Sequence, residues 1–252
     1  MKIFEMIAAA DKIELIRGLQ QQILSLQGMK GPLEGVQFNF GLGPLERAFP
    51  GNTFPTGAIH EFLSNTPEDA AATTGFMAGL AGRLMQQGDG VCLWISANRA
   101  VFPPALKMFG IDPERVIFID ITRKKDLLWA VEEALKCESM AVVVGELKET
   151  GFTESRRLQL AVEQSRVTGL MHHFSPRNIT ATASVCRWVV KPVAGEQEAG
   201  LPGVGSPCWN VTLQKVRNGK PGTWLIAWSA GRFRNVKRDA VAAPDHQLPK
   251  TA

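Results

Sequence analysis

Ile13, Ile16, Leu19, Ile23 and Leu26 recur every three or four residues, which predicts an amphipathic helix over Asp11–Leu26. Gly28, Gly31 and Pro32 end it. Its apolar face suits either its own domain or a partner chain, and the pattern alone leaves both open. A helical turn comes next at Leu45–Ala48. Short apolar runs then alternate with helical periodicity. Strands are expected at Ala58–Leu63, Val91–Ile95, Val116–Asp120 and Met140–Val144, and helices at Glu68–Gln87, Pro103–Phe109, Asp126–Cys137 and Thr153–Thr168. Pro67 sits near the first turn of its helix, where a missing N–H costs little. Four further strands are expected at Gly169–Phe174, Trp188–Pro192, Trp209–Arg217 and Thr223–Ser229. Strands without a polar face are what a parallel sheet covered on both sides produces. The expected class is therefore α/β: a mostly parallel sheet flanked by helices, with an N-terminal amphipathic helix and a C-terminal β-hairpin.

Composition changes this picture little. The chain has 252 residues, 45% hydrophobic and 21% charged, which suits one globular α/β domain with appendages. No run of about 20 apolar residues offers a membrane span, and the N-terminus lacks a signal-peptide core, so a cytoplasmic protein is expected. Cys92, Cys137, Cys186 and Cys208 are spaced too widely for a CxxC motif and read as free, mostly packed thiols. Charge is uneven. From Cys208 onward eight Lys/Arg face only Asp239 and Asp245, whereas the whole chain is +4. Ala194–Pro207 reads as a surface loop, and nothing after Arg232 is periodic. The chain thus divides into a helix and linker (1–32), a core (33–231) and a basic tail (232–252) expected to be disordered.

A strand–loop–helix at the start of an α/β sheet is the place for a phosphate loop, which needs glycines, a lysine and then Ser/Thr. The segment here is SNTPEDAAATTGF. Together with the approach FGLGPLERAFPGNTFPTGAIHEFLS, it resembles the start of a RecA-type recombinase core. Against that family's GPESSGKTT loop, TPEDAAATT keeps Pro67, Glu68, Thr73 and Thr74. It puts Thr66 and Ala71 in place of glycines and Ala72 in place of the lysine. WISANRAVFPPALKMFGID resembles the stretch around the family's catalytic glutamate, with Asn98 at that place. AVVVGELKE resembles the strand ending in the magnesium-side aspartate, with Gly145 in its place and Glu146 one residue on. Losing lysine, loop glycines, glutamate and aspartate together removes charge neutralisation, cradle, base and metal support. No catalytic residue, cofactor or metal is therefore expected.

The resemblance narrows to ImuA-like proteins, RecA-related accessory factors of bacterial error-prone repair. PTGAIHEFLS, the helix RRLQLAVEQS, the strand end MHHFSP and WNVTLQKVRNGKPGTWLIAWS carry it, over about residues 33–235. It implies a RecA-like core acting in SOS-induced translesion DNA synthesis without catalysis of its own. The implied partners are translesion polymerase components: a Y-family-like protein and an error-prone replicative-type polymerase. A recombinase filament, DNA and a second copy of the chain stay open as partners. Two other functions share the fold's logic. One is an SOS cell-division inhibitor that binds the tubulin-like division protein. The other is an ATPase with a rearranged site built on Glu146 and Lys148.

The remaining chemistry is sparse. His172–His173 could suggest metal or acid–base work, but no ligand set stands near it, and a structural or edge-of-sheet role is expected. Glu132–Glu133 and Glu146/Glu149 read as solvated carboxylates. Trp94 and Trp129 are expected in the core, as are Trp209, Trp224 and Trp228. The surface candidates for a partner or DNA are Leu19, Lys215, Arg217, Arg232, Arg234, Lys237 and Arg238.

Overall fold

The computed structural model describes Gly18, Leu19 and residues 39–195 and 205–236. Its centre is β1 (Ile59–Ser64), flanked in a nine-stranded sheet by β2 (Val91–Ser96), β3 (Val116–Asp120), β4 (Met140–Leu147), β5 (Thr168–Phe174), β6 (Cys186–Val193), β7 (Cys208–Val216), β8 (Gly222–Ser229) and β9 (Arg232–Asn235). The spatial order is β3-β2-β4-β5-β1-β6-β7-β8-β9. The first six in that order run parallel, and β7, β8 and β9 continue from β6 as an antiparallel meander. The expected α/β class and mostly parallel sheet are present, and the C-terminal hairpin is part of that meander.

Alternation along the strands splits the core in two. Phe62, Trp94, Val144, Leu170 and Trp188 face helix α1 (Pro67–Met85), together with the segment from Phe40 to Phe54. Ile59, Leu93, Ile95, Val143 and Met171 face helices α2 (Lys124–Lys136) and α3 (Phe152–Ser165). All six residues of β1 are buried. Such double coverage requires close helix packing. A β-carbon on Gly82 would lie 2.1 Å from the Phe109 carbonyl oxygen, so the 3₁₀ segment Pro103–Phe109 reaches α1 only because that residue is glycine. The turn read as an ordinary helix there is thus a 3₁₀ helix, closed by Gly110 at φ 73°.

Two expectations are corrected. The boundary at 232 does not hold, because Arg232–Asn235 pairs with Ser229–Ile226 as the ninth strand. Phe233 is buried against Trp228 and Phe76, with ring centroids 4.8 and 5.2 Å away, while Arg232 and Arg234 stay exposed. A single inward residue between two arginines is too short a period to read in sequence. The arginines also guard the sheet edge against further strand pairing. Trp129 lies on the outer side of α2, 63% exposed, because Leu127, Val131, Ala134 and Leu135 already fill that helix's inner face.

Leu19 is helical and 49% exposed, and nothing lies within 4 Å of a β-carbon built on Gly18. The rest of the helix expected at Asp11–Leu26, and the tail from Lys237 through Arg238 onward, lie outside the described residues. Among the described residues no helix is long and apolar enough to cross a membrane.

Because Phe233 closes the core between α1, β7 and β8, Phe233→Ala should cost about 3–5 kcal/mol in urea unfolding. Ending the chain after Gly231 should lower stability at least as much. An unchanged urea midpoint in both would show that β9 is dispensable.

Candidate functional site

Only two residues separate the end of β1 from the start of helix α1, and this placement decides the chemistry of the segment resembling a phosphate loop. Thr66 is its N-cap and accepts from Asp69 N at 3.2 Å, Pro67 opens the first turn, and three consecutive alanines favour helix. Ala70 N already donates to Thr66 O at 2.9 Å. Asp69 N and Ala70 N are thus both taken by Thr66, and neither is left to fan around a phosphate. Ala71 is exposed toward the cleft, whereas Ala72 is buried. Thr73 is buried too, and its hydroxyl has no hydrogen-bond partner among the described residues.

A cleft of about 1020 Å³ opens at the carboxyl ends of the parallel strands, the usual ligand position in open α/β sheets. Its lining is mainly apolar, with Thr74, Asn98, Glu146, Lys148 and His172 among the polar groups. Gly145 is not on this side. A β-carbon there would lie 3.0 Å from Val131 of α2, across the sheet. Glu146 faces the cleft instead, so a strand-end carboxylate is present after all. It sits on a strand rather than on a solvated helix face and accepts from Trp94 Nε1 at 2.9 Å. Burial pushes its carboxyl above the usual range, helped by the charge of Asp120 and opposed by the Trp94 bond. Asp120 in turn is bound by Arg99 at 2.8 Å.

The two neighbouring histidines point to opposite faces of β5, an interior strand rather than a sheet edge. His172 Nε2 lies 2.6 Å from Ser64 Oγ, and burial, then the neighbouring His173, lowers its pKa to about 4. His173 Nε2 lies 3.4 Å from Glu61 Oε1 on the other face. His60, also lowered by burial to about 4, donates from Nε2 to Pro55 O and accepts from Trp188 Nε1 at Nδ1. That pair of bonds needs a neutral ring.

Glu61 is the centre of a second polar set that sequence reasoning missed. Its Oε2 accepts from Arg187 Nε at 2.7 Å, Thr182 Oγ1 at 3.0 Å and Ser184 Oγ at 3.4 Å. Burial alone would raise its pKa, but hydrogen bonds and charge from His173 and Arg187 prevail and hold it near 2. Lys215 and Arg217, the candidate basic pair, belong to this set. Lys215 Nζ donates to Thr182 O at 2.6 Å and Arg217 to Ala183 O at 2.9 Å. Burial, then Arg187, lowers the Lys215 pKa. Both side chains therefore hold the chain leading into β6 while staying partly exposed. The signal in sequence was a lone Glu61 inside an apolar strand, a charge that must find a partner once buried.

Among the described residues no three His, Cys, Asp or Glu side chains gather as a metal site would require. None of the four cysteines forms a disulfide, and only Cys137 is exposed.

No family model matches the chain. Curated relatives do. Protein ImuA of Caulobacter vibrioides, in strains NA1000 / CB15N and ATCC 19089 / CIP 103742 / CB 15, is 29% identical over 222 residues, spanning 83% of this chain and 91% of that protein. The chain is ImuA-like. The matched length is long enough to take in most of the sheet rather than one motif.

The buried histidines set an acid limit. Folded His60 and His172 titrate near 4 against 6.5 for free imidazole, so the unfolded chain binds more protons between these values. Stability is complete above 6.5 and falls as pH drops through that window. Each should remove about 2 kcal/mol between pH 7 and pH 5. Glu61, lowered to about 2, adds its loss only below 4.5. Urea unfolding at both pH values should show a smaller loss in His172→Gln, by about 2 kcal/mol; an equal loss in both proteins would contradict this account.

Proposed function

We propose that this ImuA-like chain is a non-catalytic accessory protein of SOS-induced translesion DNA synthesis, with a RecA-like core that has given up its nucleotide. It organises polymerase components, a Y-family-like protein and an error-prone replicative-type polymerase, through protein contacts. The observation that carries this reading is the similarity to ImuA along nearly the whole of that protein. The helical start of α1 supports it, since the amides a phosphate cradle would use are committed to the helix. The engagement of Lys215 and Arg217 by the carbonyls of residues 182 and 183 favours protein partners over DNA.

Affinity purification of the full chain from DNA-damaged cells should recover the two polymerase components. Recovery of the tubulin-like division protein in their place would sink the proposal in favour of a division inhibitor. The rearranged ATPase draws on Glu146 and Lys148, which share the cleft, and is tested with nucleotide. A site with a Kd of about 10 µM would add about 2.7 kcal/mol of stability at 1 mM ATP. No thermal shift is expected with ATP and magnesium. Ala72→Lys should not create one and should itself destabilise by several kcal/mol, because position 72 is buried. A reproducible ATP-dependent shift in the unmodified protein would establish nucleotide binding instead.

A further inference from the structure

Charge is divided between the two halves of the sheet. Strands β1–β5 carry Glu61, Asp120 and Glu146 and no Lys or Arg. Strands β6–β9 carry Arg187, Lys191, Lys215, Arg232 and Arg234 and no Asp or Glu. These five cations stand on one face. Register places Arg187 beside Lys215, Ala227 beside Arg234 and Ser229 beside Arg232, and alternation puts Lys191 on the same side as Arg187. The opposite face of these strands belongs to the core, with Trp188, Trp209, Trp228 and Phe233 turned toward α1.

Helices α2 and α3 pack against β1, β2 and β4, and α1 packs on β6 from the core side. Among the described residues the basic face therefore carries no helical layer. Lys191, Arg232 and Arg234 are exposed on it, while Lys215 is already joined to Thr182 O. Between those exposed cations lies a small apolar centre. Cys208, Ala227 and Val236 form a cluster there, with Val193 and Leu225 half-buried against it. Register sets Val193, Cys208, Ala227 and Arg234 in one line across the four strands, and Lys191 is two residues before Val193. At about 4.8 Å per strand and about 6.8 Å per two residues, Lys191 and Arg234 stand roughly 16 Å apart across the apolar centre.

An open sheet face with cations at two margins suits the anions of a macromolecule. A nucleic-acid single strand needs rings on which its bases stack, and the aromatic residues of β6–β9 all face the core. Phosphates would also leave the apolar centre with nothing to bury. A polypeptide that mixes carboxylates with aliphatic side chains meets both features. We infer that the open face of β6–β9 docks an acidic, aliphatic segment of a partner protein. Its carboxylates lie on Lys191, Arg232 and Arg234 and its aliphatic side chains on Val193 and Leu225. This deepens the accessory reading, and rests on it in that the docked chain is a protein.

The test uses the full chain and a fluorescein-labelled peptide alternating Glu with Val. Its Lys-for-Glu counterpart, a single-stranded oligonucleotide and a DNA duplex are measured beside it, all by anisotropy. The Glu peptide should bind and the Lys peptide should not. Lys191→Glu with Arg232→Glu should weaken the Glu peptide at least about tenfold. Lys107→Glu with Lys125→Glu, an equal charge change at exposed residues elsewhere, should leave it within about twofold. Leu225→Ser should weaken it as well, and Val193→Ser at the end of β6 serves should the first variant not fold. No binding of the Glu peptide, binding unmoved by the first pair, or DNA bound through this face in preference to the peptide would each overturn the inference. So would self-association that the first pair abolishes, since the face would then belong to a second copy. Affinity purification from DNA-damaged cells, with the unmodified protein and the Lys191/Arg232 variant, separates the two readings. Polymerase components recovered equally by both proteins would overturn the inference alone. Peptide binding as expected, with no polymerase component on the unmodified protein, would overturn the accessory reading and support the docking face.

Discussion

A strand buried on both faces gives its side chains no route to water, and β1 is such a strand. Three of its six residues are nevertheless polar or charged, and each must be satisfied inside the protein. His60 is held neutral between Pro55 and Trp188, and Ser64 pairs with His172. Glu61 draws in Arg187, Thr182, Ser184 and His173 from β6, β5 and the segment between them. The sheet order reflects these demands closely. Strands β5 and β6, which supply the partners, are the two that flank β1. A buried ion pair of this kind is weak evidence of net stability, but removing either partner leaves an uncompensated charge, so it fixes the arrangement strongly.

The same strand ends at the cleft, and the turn and helix after it determine which ligands the cleft can bind. A phosphate loop keeps its amides outside regular structure. Here Thr66 caps a helix at once and Ala70, Ala71 and Ala72 continue it. The alanines form a hydrogen-bonded cylinder with a methyl-covered surface, and that surface becomes one wall of an apolar cleft. Glu146 then sits half-buried against Trp94 Nε1, where burial raises its pKa.

Much of the sheet is readable in the chain because its strands are short apolar runs separated by turns and periodic helices. The expected span of β3 matches to the residue, and those of β1, β2 and β4–β8 match within a few residues. The site is far less readable. Glu61 shows only as an isolated charge in an apolar run, and its partner Arg187 lies far along the chain with no motif joining them. Gly145 and Glu146 are adjacent, so motif spacing does not say which faces the cleft; in a strand one step moves a side chain to the opposite face. Trp129 and Phe233 depart from expectation for a related reason. A large apolar residue goes inside only if a neighbour has not already filled the space, and an isolated one in a polar stretch goes inside if a groove awaits it.

The sequence by itself determined the α/β class, the order of strands and helices, the capping of α1 and the absence of glycine and lysine from its first turns. Those are local matters of periodicity, propensity and residue type, which short stretches carry alone. Only the tertiary structure decided which residues meet: the Glu61–Arg187 pair, the bonding of Lys215 and Arg217 to a backbone segment, and the use of Phe233 as a core residue. Each depends on a contact between residues distant in sequence. Burial makes such contacts obligatory, because a charge, a carbonyl or an apolar ring cut off from water must be matched by whatever the fold brings to it.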